Sequence, residues 1–118
     1  MSTKTHGILD YVVGALLIVS PWLFGFAAGG AETWIPVILG AAALAYSLCT
    51  DYELGAVRII PMSTHLTLDF LSGAFLAISP WLFGFAELVA MPHLFLGLFE
   101  MIAVLMTRRS SATRPIGA

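Results

Sequence analysis

The chain has 118 residues, of which 59% are hydrophobic and 10% charged, with a net charge of −2. A soluble domain carries about 25% charged residues to meet water, so a water-covered globule is excluded and one membrane-embedded domain is expected. The five basic residues (Lys4, Arg58, Arg108, Arg109, Arg114) form no stripe that could track phosphates, which excludes nucleic acid, and the lone Cys49 excludes an internal disulfide or a Cys-based zinc centre.

The first apolar run covers residues 8–27. At 1.5 Å per residue such a run spans a hydrocarbon core of about 30 Å as a helix, and a lone strand would leave its backbone unpaired in lipid. At its near end His6 and Asp10, four apart, share a helical face. At its far end stands Ser20-Pro21-Trp22-Leu23-Phe24-Gly25-Phe26-Ala27. Pro21 has no N–H for the Leu17 carbonyl, so a kink or break is expected. Ser20 can donate to a local carbonyl, Trp22 suits the headgroup level, and Gly25 leaves room to turn. The segment therefore reads as a bend-and-anchor device; a broken helix offering carbonyls to an ion or ligand is the alternative. The length of the run and its recurrence downstream argue against a cleaved signal peptide.

A short connection leads to the second run, 34–50, with Pro36 in its first turn and Gly40 followed by Ala41–Ala43 as a close-packing surface. The longer link that follows carries Asp51, Glu53, Arg58 and Pro61. The third run, 66–86, then repeats the first. Ser79-Pro80-Trp81-Leu82-Phe83-Gly84-Phe85-Ala86 matches the earlier block letter for letter, and His65, Leu68, Asp69, Gly73, Ala74 and Leu76 match at the same 59-residue offset. The fourth run, 91–107, contains Pro92, His93 at its outer rim, Gly97 and Glu100. An acidic residue near mid-span is costly and is by default a functional candidate; the aligned position in the first copy is Ala43.

The expected fold is all-α: a four-transmembrane-helix bundle of two parallel helical-hairpin repeats about a pseudo-two-fold axis along the membrane normal. The whole chain, 1–118, is one domain, divided into repeat one (6–52), loop (53–64), repeat two (65–108) and tail (109–118). All five Lys/Arg fall in the N-terminus, central link and tail, and none in the two hairpin turns. The positive-inside rule then places both termini in the cytoplasm of a multi-pass plasma-membrane protein.

The duplicated pattern His-x3-Asp-x3-Gly…Ser-Pro-Trp-Leu-Phe-Gly-Phe resembles the SPW repeat family of small bacterial and archaeal membrane proteins, over residues 6–107. That resemblance implies paired transmembrane helices in each repeat, includes Ser20, Pro21, Trp22, Ser79, Pro80 and Trp81, and implies no activity. Catalytic signatures such as Gly-x-Ser-x-Gly or His-Glu-x-x-His are absent, so no enzyme, catalytic residue or cofactor is expected. His6, Asp10, His65 and Asp69 can terminate and pair helices, or converge as two His and two carboxylates able to bind a metal or shuttle protons. The expected role is structural or accessory, with the lipid bilayer and a homo-oligomer or larger membrane complex as partners. A small transporter or channel using Glu100 and the His/Asp helix ends is the alternative.

Overall fold

Ser2 opens the first helix: its hydroxyl accepts the Thr5 N–H at 3.1 Å, the usual capping of a free helical donor. The computed structural model describes residues 1–107. Within them lie four helices, α1 (Thr3–Leu23), α2 (Ala31–Leu48), α3 (Met62–Leu82) and α4 (Met91–Leu105), and no strand; a single parallel bridge, Thr50 to Ile60, ties the central link. The fold is all-α, as the apolar runs require. The tail 109–118 and its arginines lie outside the described residues.

The helices α1–α2 and α3–α4 pack as two hairpins, each more closely within itself than against the other. Glycines set this spacing. A Cβ on Gly40 would stand 2.6 Å from the Gly14 carbonyl oxygen, and Gly97 meets the Gly73 carbonyl in the same way. The Gly/Ala surfaces are therefore spent inside the hairpins, where small residues let backbones approach.

Two boundaries differ from the sequence reading. α3 starts at Met62, inside the segment 53–64 expected as loop, and α1 starts at Thr3, ahead of its apolar run. The polar first turns are helical because their His and Asp side chains find partners within the bundle. Neither proline breaks its helix: Pro21 and Pro80 lie inside α1 and α3, which end two residues later. The carbonyls they deprive are supplied by serine, Ser20 Oγ to Leu17 O at 2.9 Å and Ser79 Oγ to Leu76 O at 2.7 Å. What ends each helix is the glycine after it. Gly25 and Gly84 take φ of 73° and 74°, a region only glycine enters freely, and the Phe26 and Phe85 N–H groups donate back to Pro21 O and Pro80 O, each at 2.8 Å. This six-to-one bond is a Schellman C-cap.

The outer surface is strongly apolar, and the interior mixes apolar side chains such as Leu17, Leu66 and Leu76 with many polar ones. Ile8, Val12, Ile38, Leu71, Phe75, Phe95, Ile102 and Leu105 face outward, while His6, Ser20, Thr33, Ser47, His65, Asp69, Ser79 and His93 are buried. Trp22, Trp34 and Trp81 stand exposed toward one end. Thr3–Leu23 and Ala31–Leu48 are long and apolar enough to cross a membrane; Met91–Leu105 is apolar but shorter. Four spans were expected, from the apolar runs 8–27, 34–50, 66–86 and 91–107. α3 is as long as α1, but its first two turns spend Ser63, Thr64, His65, Thr67 and Asp69 on polar residues.

Candidate functional site

The four side chains singled out at the starts of the first and third runs meet. His6 and Asp10 come from α1, His65 and Asp69 from α3, and their ligand atoms all lie within 4.8 Å of one another. The shorter contacts cross between repeats: His6 Nε2 is 2.6 Å from Asp69 Oδ2 and His65 Nε2 is 2.8 Å from Asp10 Oδ2. The contacts within each repeat are both 3.0 Å. Burial is nearly complete, 2% exposure for the His6 side chain and 0% for His65. Charges held this far from water persist only when paired and hydrogen-bonded. Arg58, a candidate partner for these acids, instead donates to the Gly55 and Glu53 carbonyls of the link.

The other ring nitrogens are held by two threonines that sequence reasoning missed. Thr50 follows α2 and Thr107 follows α4. Thr50 Oγ1 lies 2.7 Å from His65 Nδ1, and Thr107 Oγ1 lies 2.8 Å from His6 Nδ1. Each threonine thus serves the histidine of the opposite repeat. Each also donates its hydroxyl proton to the carbonyl four residues back, Thr50 to Tyr46 O at 2.6 Å and Thr107 to Ala103 O. A hydroxyl has one proton. With that proton committed, the oxygen can only accept from the ring, so both histidines carry hydrogen on Nδ1 and turn Nε2 to the carboxylates. A signal for this existed in the sequence: the 57-residue offset that aligns Gly40 with Gly97 also aligns Thr50 with Thr107.

Two tyrosines complete the set. The Tyr46 hydroxyl donates to Asp69 Oδ1 and the Tyr52 hydroxyl to Asp10 Oδ2, the latter at 3.2 Å. Burial and the neighbouring Asp10 charge hold the Tyr52 phenol above its ordinary range, so it keeps the proton it donates. Neither tyrosine is repeated: at the 57-residue offset, Tyr46 aligns with Ala103.

Glu100 lines a cavity together with His6, Asp10 and Asp69. Ala43 and Ala103 line it too, and these are the small residues that stand where the other repeat has Glu100 and Tyr46. Broken symmetry thus makes the space. Water-sized molecules have about 20 Å³ there, enough for one. Three carboxylates and an imidazole therefore converge on one small void.

The motif residues lie at the opposite end. Ser20, Pro21, Ser79 and Pro80 are buried in their helices, and Trp22 and Trp81 project outward. The second phenylalanine of each copy reaches inward: Phe26 and Phe85 flank His93 with ring centroids 5.0 and 4.9 Å away. His93 was expected on the rim; it is 1% exposed because these rings close over it and its Nε2–H donates to the Glu32 carbonyl at 2.9 Å. In the adjoining turn the Ala28 and Gly29 N–H groups donate to Thr33 Oγ1, both at 3.1 Å.

Comparison with known proteins is consistent with the duplicated pattern. The family model described as the SPW repeat domain matches residues 4–107. No curated protein and no solved structure matches the chain.

Proposed function

The chain belongs to the SPW repeat family, and on that premise we propose that it is a multi-pass membrane protein with a structural or accessory role and no enzymatic activity. The observation that carries this reading is the apolar outer surface, aliphatic and aromatic side chains outward and His, Asp, Ser and Thr inward, as a bilayer solvent requires. Polar contacts bind the two repeats at both ends of the bundle: the His/Asp cluster at one, and the His93 Nε2–H to Glu32 carbonyl bond at the other. Such a bundle is built to keep its shape.

In this reading all four helices cross the plasma membrane, with the ends bearing Lys4 and Arg58 in the cytoplasm and the turns at 28–30 and 83–90 outside. Cysteines placed singly at Ala28, Glu87 and Lys4 in a Cys49→Ser background test this with an impermeant thiol reagent on intact cells. Ala28 and Glu87 should label and Lys4 should not; the reverse pattern removes the assignment. The exposed apolar faces suit a second copy or a larger membrane complex. Crosslinking in native membranes followed by pull-down tests that, and a strictly monomeric, partnerless chain argues against an accessory role.

A second reading is a small transporter or channel, favoured by one observation, that Glu100 shares its cavity with His6, Asp10 and Asp69. Flux into reconstituted liposomes decides it. Transport abolished by Glu100→Gln favours this reading, whereas no flux, or flux indifferent to the substitution, removes it.

A further inference from the structure

We infer that His6, His65, Asp10 and Asp69 form a site for one divalent cation of the zinc class, with Nε2 of each ring and one oxygen of each carboxylate as ligands. Three independent features of the structure converge on this.

The first is which ring nitrogen faces the carboxylates. Thr50 and Thr107 fix hydrogen on both Nδ1 atoms, because each hydroxyl proton is already given to a backbone carbonyl. With Nδ1 so occupied, Nε2 is the nitrogen left to give up its proton to an incoming metal ion, and both Nε2 atoms point at the same two carboxylates. A metal-bound imidazole is commonly oriented in this way, through the hydrogen bond that its other nitrogen donates.

The second is size. With Asp69 Oδ2 and Asp10 Oδ2 as the oxygen ligands, three N···O edges measure 2.6, 2.8 and 3.0 Å, while the other Asp10 oxygen lies 3.0 Å from His6 Nε2. Tetrahedral coordination with bonds of about 2.0–2.1 Å needs edges of about 3.3–3.4 Å. Each of these three edges opens by about 0.3–0.8 Å, from 2.6–3.0 Å to the tetrahedral value, an adjustment within reach of side-chain rotation. The cavity beside the cluster, lined by His6, Asp10 and Asp69, leaves the site unsealed on that side.

The third is charge and ligand type. Two carboxylates balance a divalent ion, so the loaded site is neutral, which a buried position demands. Imidazole nitrogen with carboxylate oxygen suits zinc and its first-row neighbours better than calcium or magnesium, which prefer all-oxygen sets. Four protein ligands give a closed, structural centre, without the open position a catalytic one keeps. Since two ligands come from each repeat, the ion would clasp the two hairpins together.

Purified full-length protein in detergent micelles, stripped with chelator and titrated with Zn²⁺ and then Co²⁺, tests the inference. One ion per chain should bind, and Co²⁺ should give the intense visible bands of tetrahedral coordination. His6→Ala and His65→Ala should abolish both, while His93→Ala, at the other end of the bundle, should retain them. Thr50→Val and Thr107→Val should weaken binding by about 10–100-fold, as loss of a supporting hydrogen bond does. Should a histidine variant fail to fold, the wild-type Co²⁺ spectrum still decides. No uptake by the wild type, a weak octahedral spectrum, or binding that survives both histidine substitutions overturns the site.

Discussion

Asp69 sits at the centre of the buried cluster. It accepts from His6, His65 and Tyr46, while the Tyr52 hydroxyl makes one longer bond to Asp10. Removing one member of a buried charged set costs about 3–5 kcal/mol, because the partners are left uncompensated. Losing one neutral donor costs about 0.5–1.5 kcal/mol. Asp69→Ala should therefore destabilise the metal-free protein several-fold more than Tyr52→Phe in denaturation followed by circular dichroism in micelles. Equal losses would mean that the cluster does not act as a network. The His/Asp members were legible from four-residue spacing and repetition. Tyr46 and Tyr52 were not, since an unrepeated tyrosine near an apolar run has no pattern to mark its partner.

Within each helix the motif solves a problem that its proline creates. Pro21 withholds a donor from Leu17 O, and Ser20 Oγ supplies one at 2.9 Å. Ser20→Ala should cost about 1–3 kcal/mol, the price of a buried carbonyl left unmatched. The double variant Ser20→Ala/Pro21→Ala should recover much of that loss, because an alanine at position 21 restores the N–H four residues after Leu17. Melting temperatures of the single and double variants check it, and a double variant no better than Ser20→Ala would refute this account. The sequence made the deprived carbonyl and the serine donor legible. The end of the helix was read a few residues too late, since the apolar run continues past Gly25 and only the observed φ of 73° marks the cap.

At the scale of the whole molecule, the two hairpins meet through the shared His/Asp cluster and through an apolar cluster of Tyr52, Met62, Leu66 and Val104. Each histidine touches both carboxylates, so once His6 is gone, much of what His65 holds has already loosened. The stability losses of His6→Ala and His65→Ala should then sum to more than the loss of the double variant, by about 0.5–3 kcal/mol as coupled sites show. A double-mutant cycle by chemical denaturation measures the difference, and strict additivity would show two independent pairs.

The sequence by itself determined the helices, their pairing into hairpins and the repetition, because apolar length, turn residues and the duplicated block are local signals along the chain. It also placed each His beside its Asp on one helical face. Only the tertiary structure decided that the contacts between repeats are shorter than those within them, that Thr50 and Thr107 hold the histidine Nδ1 atoms, and that Glu100 shares their cavity. Those facts depend on how α2 and α4 end beside α3 and α1, and the spacing of residues along a chain carries no record of which helix becomes its neighbour.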